Sequence, residues 1–221
     1  MESSLLHSAY LSIKVATIAT FFVAIFGLLF SYFLATRKFK GKEIIEVILT
    51  LPLVMPPTVT GYYLIILFGR NGFIGSLIYN YTEWTIMFTW YAAALSSFIV
   101  SLPLMIKTTQ ASIESVDKTM IDSAYMLGHS ETETAFKVIF PLAKKGIIAG
   151  IILSFARAIG EFGATLMLAG NIPGKTDTMP LAIYGLTSSG EWGKAHMMVL
   201  ILTLISGVFL YVANRFSKRN F

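Results

Sequence analysis

The 221-residue chain has no cysteine, which excludes disulfides and thiolate metal sites. Its three histidines, His7, His129 and His196, lie far apart and suggest no ligand cluster. There is no GxxxxGK[ST] phosphate loop, so any ATP the protein depends on must be bound by another chain. Charge is scarce as well. Asp, Glu, Lys and Arg make up 13% of the residues, about half the share found in soluble domains. Water is therefore not the main solvent. The opening residues, MESSLLHSAYLSIK, lack the basic stretch of a secretory signal, so the N-terminus is expected to be retained.

Apolar residues fill the space that charge leaves. Crossing about 30 Å of hydrocarbon at about 1.5 Å per residue takes roughly 20 of them. Five stretches qualify: 12–36, 46–69, 84–106, 143–168 and 195–214. The fourth is interrupted by Arg157 and Glu161. The pattern predicts an all-α integral membrane protein with five transmembrane helices in a single domain over 1–221, leaving no separate soluble domain. Lysine and arginine set the orientation. The segments after the first span, between the third and fourth, and after the fifth, with Lys144 and Lys145 at the very start of the fourth, hold 12 of the 17 basic residues. The positive-inside rule then places the N-terminus outside and the C-terminus in the cytoplasm. A small chain with an odd number of spans does not readily enclose a pathway alone, and a two-fold dimer is the simplest closure.

The cytoplasmic segment 112–141 is polar where its surroundings are not. Ile113, Val116, Met120, Ile121, Ala124 and Leu127 recur at three- and four-residue steps, which predicts one apolar helix face. Glu114, Asp117, Lys118 and Asp122 form the other. Gly128 is placed to end the helix in a left-handed conformation. Ser130 and Glu133 have capping-box spacing, so a second short helix is expected there. Pro141 precedes the fourth span. An amphipathic helix lying on the membrane surface would share most of these features.

The residue order carries more. Asp122-Ser123-Ala124, three residues, Gly128, nine residues, then Val138-Ile139-Phe140-Pro141 resembles the E-A-A-x3-G-x9-I-x-L-P signature of permease subunits in ABC importers. Asp replaces Glu, Ser replaces the first Ala, and Val and Phe stand at the Ile and Leu positions. Two further stretches, LPLVMPPTVTGYYL (Leu51 to Leu64) and FARAIGEFGATLMLAGNIPGKTDTMPLAIY (Phe155 to Tyr184), look like the membrane subunit of molybdate importers, with sulfate and tungstate permeases as relatives. The resemblance runs from about Val47 to Leu186.

The resemblance implies a type I ABC importer permease fold, working as a homodimer in a prokaryotic inner membrane. The chain would be no enzyme and hold no cofactor. It would form the pathway for a tetrahedral oxyanion, with molybdate first and sulfate or tungstate as alternatives. Two ATPase subunits carrying ATP and magnesium would dock below, and an extracytoplasmic oxyanion-binding protein above. No nucleic acid partner is expected. Asp122, Ser123, Ala124, Gly128, Val138, Phe140 and Pro141 would couple the permease to the ATPase. A self-sufficient ion-coupled carrier is the rival class. It leaves the cytoplasmic segment without a task, and the chain shows no duplicated halves.

Polar features inside the spans mark pathway candidates. Pro56, Pro57, Thr58, Thr60 and Gly61 interrupt the second span, and freed carbonyls are tolerated only in protein or facing water. A simple kink would serve the same sequence. Arg157 and Glu161, four residues apart, share a helix face and are expected near mid-membrane. They fit either a structural ion pair or a contact for a passing anion. Gly160 and Gly163 suit close helix packing or the pathway lining. On the outer side, Asn171, Pro173, Gly174, Lys175, Thr178 and Pro180 belong to a loop and a short helix dipping back. That segment is expected either to pack on the dimer or to contact the binding protein.

Overall fold

The structure, a computed structural model, describes residues 2–219. The described residues form eleven α-helices and one π turn, with no strand among them. The helices are α1 (Glu2–Thr36), α2 (Lys42–Val54), α3 (Pro57–Phe68), α4 (Gly75–Thr82), α5 (Trp90–Glu114), α6 (Lys118–Met126), α7 (Glu131–Thr134), α8 (Phe140–Ile159), α9 (Gly163–Ala169), α10 (Met179–Ser188) and α11 (Trp192–Arg219). The π turn, Ala135–Ile139, joins α7 to α8.

Four helical stretches among the described residues are long and apolar enough to cross a membrane: Leu5–Thr36, Trp90–Glu114, Glu131–Ile159 and Trp192–Ala213. The expected continuous span 46–69 is instead two helices. Met55 and Pro56 each precede a proline, which drives a residue out of the α region. Both are extended, with ψ of 144° and 135°, and Pro57 then starts α3 at a position that needs no N–H. The span expected over 84–106 begins later and ends later. Thr89 caps α5 by accepting from the Ala92 N–H, and the helix runs on to Glu114.

The span expected over 143–168 is split at Gly160–Phe162. Upstream, Pro141 does not separate a short helix from the membrane. The helical path is continuous from Glu131 to Ile159, because the π turn just before Pro141 absorbs the break in the backbone ladder.

Helix α5 is the axis of the bundle, packed by α1, α2, α3, α8 and α9. Its inner faces are small: Ala92, Ala93, Ser96, Ser97 and Ser101 are all buried. Serine hydroxyls donate to backbone carbonyls of neighbouring helices. Ser96 reaches Ala164 O at 3.3 Å, Ser97 reaches Ala158 O at 3.4 Å, and Ser112 reaches Ala143 O at 3.1 Å. From α1, Ser31 reaches Ile106 O at 3.1 Å. Glycines set the spacing, and a Cβ on Gly146 would lie 2.2 Å from that of Ser112. Small residues and interhelical hydrogen bonds replace the hydrophobic drive that lipid removes. The outside is apolar too: Phe21, Leu29, Leu200 and Leu204 are exposed. This is the surface of a membrane protein.

Candidate functional site

Segment 112–141 turns at Gly128 as expected, but the single helix expected over 113–127 is divided between the end of α5 and α6. Helix α5 ends at Glu114, and Asp117 starts α6 by accepting from the Thr119 N–H at 2.9 Å. That hydrogen bond holds the Asp117 carboxyl below its ordinary range. The predicted apolar face is therefore divided. Ile113, Val116 and Ala124 are buried, whereas Met120 and Leu127 are exposed.

Gly128 has φ +85°. Its N–H bonds Tyr125 O at 2.9 Å, and the His129 N–H bonds Ala124 O at 3.1 Å, the double closure of a Schellman motif. Ser130 and Glu133 then cap each other. The Ser130 N–H donates to Glu133 at 3.0 Å, and Lys137 approaches the same carboxylate at 3.1 Å. Together they pull the Glu133 pKa down to about 2.

Of the seven residues assigned to this element, Asp122, Ser123, Gly128 and Pro141 are exposed, Val138 and Phe140 are half-buried, and Ala124 is buried. Sequence reasoning missed its most conspicuous feature. Met126 is 89% exposed, Leu127 80% and Phe136 71%, all flanking the Gly128 corner. An apolar trio on a polar segment was visible as composition, but the corner that turns it outward was not. Also missed was the tether to α1: Glu131 receives Arg37 and the Tyr32 hydroxyl, and Tyr32 stands edge-on to Phe140 at 5.5 Å.

The pathway candidates come together at the two helix breaks, 55–56 and 160–162. Helix α3 packs along α9. A Cβ on Gly163 would lie 2.7 Å from that of Pro57, and one on Gly61 would lie 2.7 Å from the Cβ of Met167. Thr60 is buried in the same seam. Arg157 and Glu161 form an ion pair at 2.7 Å, with the Glu161 side chain 1% exposed and that of Arg157 31%. Glu161 has a second duty, accepting the Ala164 N–H at 2.8 Å in the first turn of α9. Thus Thr60, Gly61, Glu161 and Gly163 are buried at this seam. Pro56, Pro57, Thr58 and Gly160 are exposed along the edge of the same two breaks, and Arg157 is partly so.

On the far side, Thr176 bridges Gly170 O and the Ile172 N–H, each at 3.0 Å. Asn171 donates to Leu181 O at 3.1 Å, and Ser12 accepts from the Met179 N–H at 2.6 Å. Asp177 is buried and receives the Ser8 hydroxyl at 2.9 Å. Thr178 is buried, Asn171 and Pro180 are half-buried, and Pro173, Gly174 and Lys175 form the exposed tip. A cavity of about 320 Å³ opens beside Asp177, Asn171 and Lys194.

The same fold is seen in the inward-facing MetNI methionine ABC transporter, with a TM-score of 0.79 at 15% identity, covering 99% of this chain and 97% of that one. A bacterial alginate ABC transporter, solved with a pentasaccharide-bound periplasmic protein, gives 0.78 at 14% identity, covering 97% and 78%. Residues 27–221 match the family described as binding-protein-dependent transport system inner membrane component, and the chain belongs to that family. It is 40% identical to the molybdenum transport system permease protein ModB of Escherichia coli K12 over 90% of this chain and 87% of that one. A putative molybdenum permease of Bacillus subtilis is also 40% identical, over 91% and 88%. The sulfate permease CysT of Salmonella typhimurium stands at 30%, over 92% and 73%. The chain is the permease subunit of an ABC importer, a pathway subunit rather than a catalyst.

Proposed function

We propose that two copies of this chain form the pathway of an ATP-driven molybdate importer in a prokaryotic inner membrane. The observation that carries the substrate is the 40% identity to molybdenum permeases along nine-tenths of the chain, against 30% to a sulfate permease. In this reading α2 and α3 together make one broken span, giving five, with the N-terminus outside and the C-terminus in the cytoplasm. Two ATPase chains carry ATP and magnesium and receive the α6–Gly128–α7 corner. Met126, Leu127 and Phe136 are the side chains it presents, and Asp122 and Ser123 lie beside them. The rigid Schellman corner and the continuous helix from Glu131 to Ile159 carry an ATPase movement to the break at Gly160.

The exposed edge of the two breaks, Pro56, Thr58, Gly160 and Arg157, faces the pathway, while the α3–α9 seam behind it keeps that edge in shape. Glu161 neutralises Arg157, so a passing oxyanion meets no strong trap, as conduction requires. Pro173, Gly174 and Lys175 meet the binding protein that delivers the anion. Proteoliposomes holding this chain with its ATPase, supplied with binding protein and labelled molybdate, test the proposal. Uptake that requires ATP, both partners and no ion gradient is expected, with excess sulfate competing weakly. Uptake driven by an ion gradient without the ATPase would sink the reading.

A further inference from the structure

Lys14 is a cation in the apolar stretch of α1, and among the described residues it has no carboxylate partner. Its ammonium lies instead over the Trp90 ring, 3.8 Å from the centroid. Trp90 stacks on Tyr91 at 3.9 Å, and Tyr91 stands edge-on to Trp84 at 6.0 Å. Trp and Tyr gather where hydrocarbon meets headgroups, so this cluster marks one membrane interface.

A groove of about 520 Å³ runs from that cluster between α1 and α5. Ala19 and Ala94, both buried, leave room at its floor, and Phe22, Phe26 and Phe98 form its walls. Residues 14, 18, 22 and 26 follow one another at four-residue steps, so Lys14 stands at the head of the same helix face. From Lys14 to Phe26 the face covers about 18 Å at about 1.5 Å per residue. One leaflet's hydrocarbon is about 15 Å deep.

We infer that this groove is a phospholipid site, with an acyl chain between α1 and α5 and the phosphate on Lys14. Three features converge on that occupant: a cation with no carboxylate partner among the described residues suits an anion, the aromatics sit at headgroup height, and the apolar length is one leaflet. The Lys14–Trp90 contact keeps the ammonium at the groove mouth, where an anionic headgroup gains most. The inference is independent of the transported substrate.

Quenching of Trp90 by brominated lipid tests it. The variant Trp84→Phe, Trp192→Phe leaves Trp90 as the sole indole, in a chain whose only tryptophans are these three. In nanodiscs with increasing brominated phosphatidylglycerol against plain phosphatidylcholine, Trp90 should show about a fivefold preference for the anionic lipid, the worth of one lysine near a headgroup. Lys14→Gln should bring the ratio close to one, and Lys14→Arg should keep it. A ratio near one before any change at Lys14, or an equal preference after Lys14→Gln, would overturn the inference. So would absence of quenching by brominated phosphatidylglycerol and, in a second set of nanodiscs, by brominated phosphatidylcholine, which would mean that protein, such as a second copy of the chain, covers the groove.

Discussion

Gly163 lies against Pro57 so closely that a methyl group on it would sit 2.7 Å from the proline Cβ. The proline ring cannot swing aside, so the first residue of α9 and the first of α3 fix the distance between the two helix breaks. Gly163→Ala should therefore lower stability by about 1–3 kcal/mol, the usual cost of overpacking. Gly160→Ala is the control three residues away. Its φ is negative, and a Cβ there would meet only Ala156 O at 3.7 Å. Thermal unfolding in detergent separates the two, and equal melting temperatures would show that the seam yields.

Glu161 makes two contacts, and its variants should rank by how many they lose. Glu161→Ala loses both the Arg157 pair and the hydrogen bond that starts α9. Glu161→Gln keeps an acceptor for the Ala164 N–H, and Arg157→Met breaks the pair alone. Glu161→Ala should be the least stable, by about 1–2 kcal/mol relative to Glu161→Gln, the worth of a helix cap. Adding Arg157→Met to Glu161→Gln should recover part of the loss, because no lone charge then stays buried. If Arg157→Met leaves stability intact and slows transport, the arginine serves the passing anion and the structural pair is secondary.

The two breaks show what the sequence made legible. Pro56-Pro57 reads as a kink and the charges at 157 and 161 as polar points within an apolar run, but neither pattern predicts that the helices stop at 55–56 and at 160–162. Residues 61 and 163 are 102 positions apart along the chain, and nothing local says that their glycines meet one seam. The same holds for the cytoplasmic segment. Gly128, Ser130 and Glu133 were readable as a corner and a cap, since both motifs are local. The exposure of Leu127 was not. Its spacing from Ile121 and Ala124 fits an apolar face, yet Ala124 is buried while Leu127, the residue that closes α6 beside the corner, is exposed.

At the corner, conformation and contact can be separated. A Cβ on Gly128 would meet no atom within 4 Å, yet its φ is +85°. Gly128→Ala should thus cost about 1–2 kcal/mol of left-handed strain with no steric clash. The melting temperature should fall by only a few degrees, while ATPase activity stimulated by loaded binding protein falls and basal ATPase activity of the partner chain does not. Unchanged stimulation would show that the corner is not the coupling element.

The capping box has its own pH signature. Glu133 is held down to about 2, first by the Ser130 N–H and then by Lys137 and the Ser130 side chain. A depressed carboxylate contributes stability that is present above its ordinary value of 4.5 and is lost as the pH falls towards 2. Helix α7 should therefore be fully capped above about pH 4.5 and release as the pH falls through about 2. Carbon-13 NMR of the Glu133 carboxyl, with amide exchange at Ser130 alongside, reads both. Titration near 4.5 would mean that the box is open in solution.

Orientation is testable with single cysteines, since the chain has none of its own. Burial decides where to put them. Asp177 lies in the loop expected outside but is 6% exposed and holds Ser8, so a probe there would fail for reasons unrelated to sidedness. Lys175, two residues earlier, is exposed at the loop tip. Lys40 is exposed in the turn after α1, whereas its neighbour Phe39 packs on Phe33 at 5.2 Å. A membrane-impermeant thiol reagent added to intact cells should label Lys175→Cys and spare Lys40→Cys until the membrane is opened. The reverse pattern would place the Gly128 corner outside, beyond reach of any ATPase.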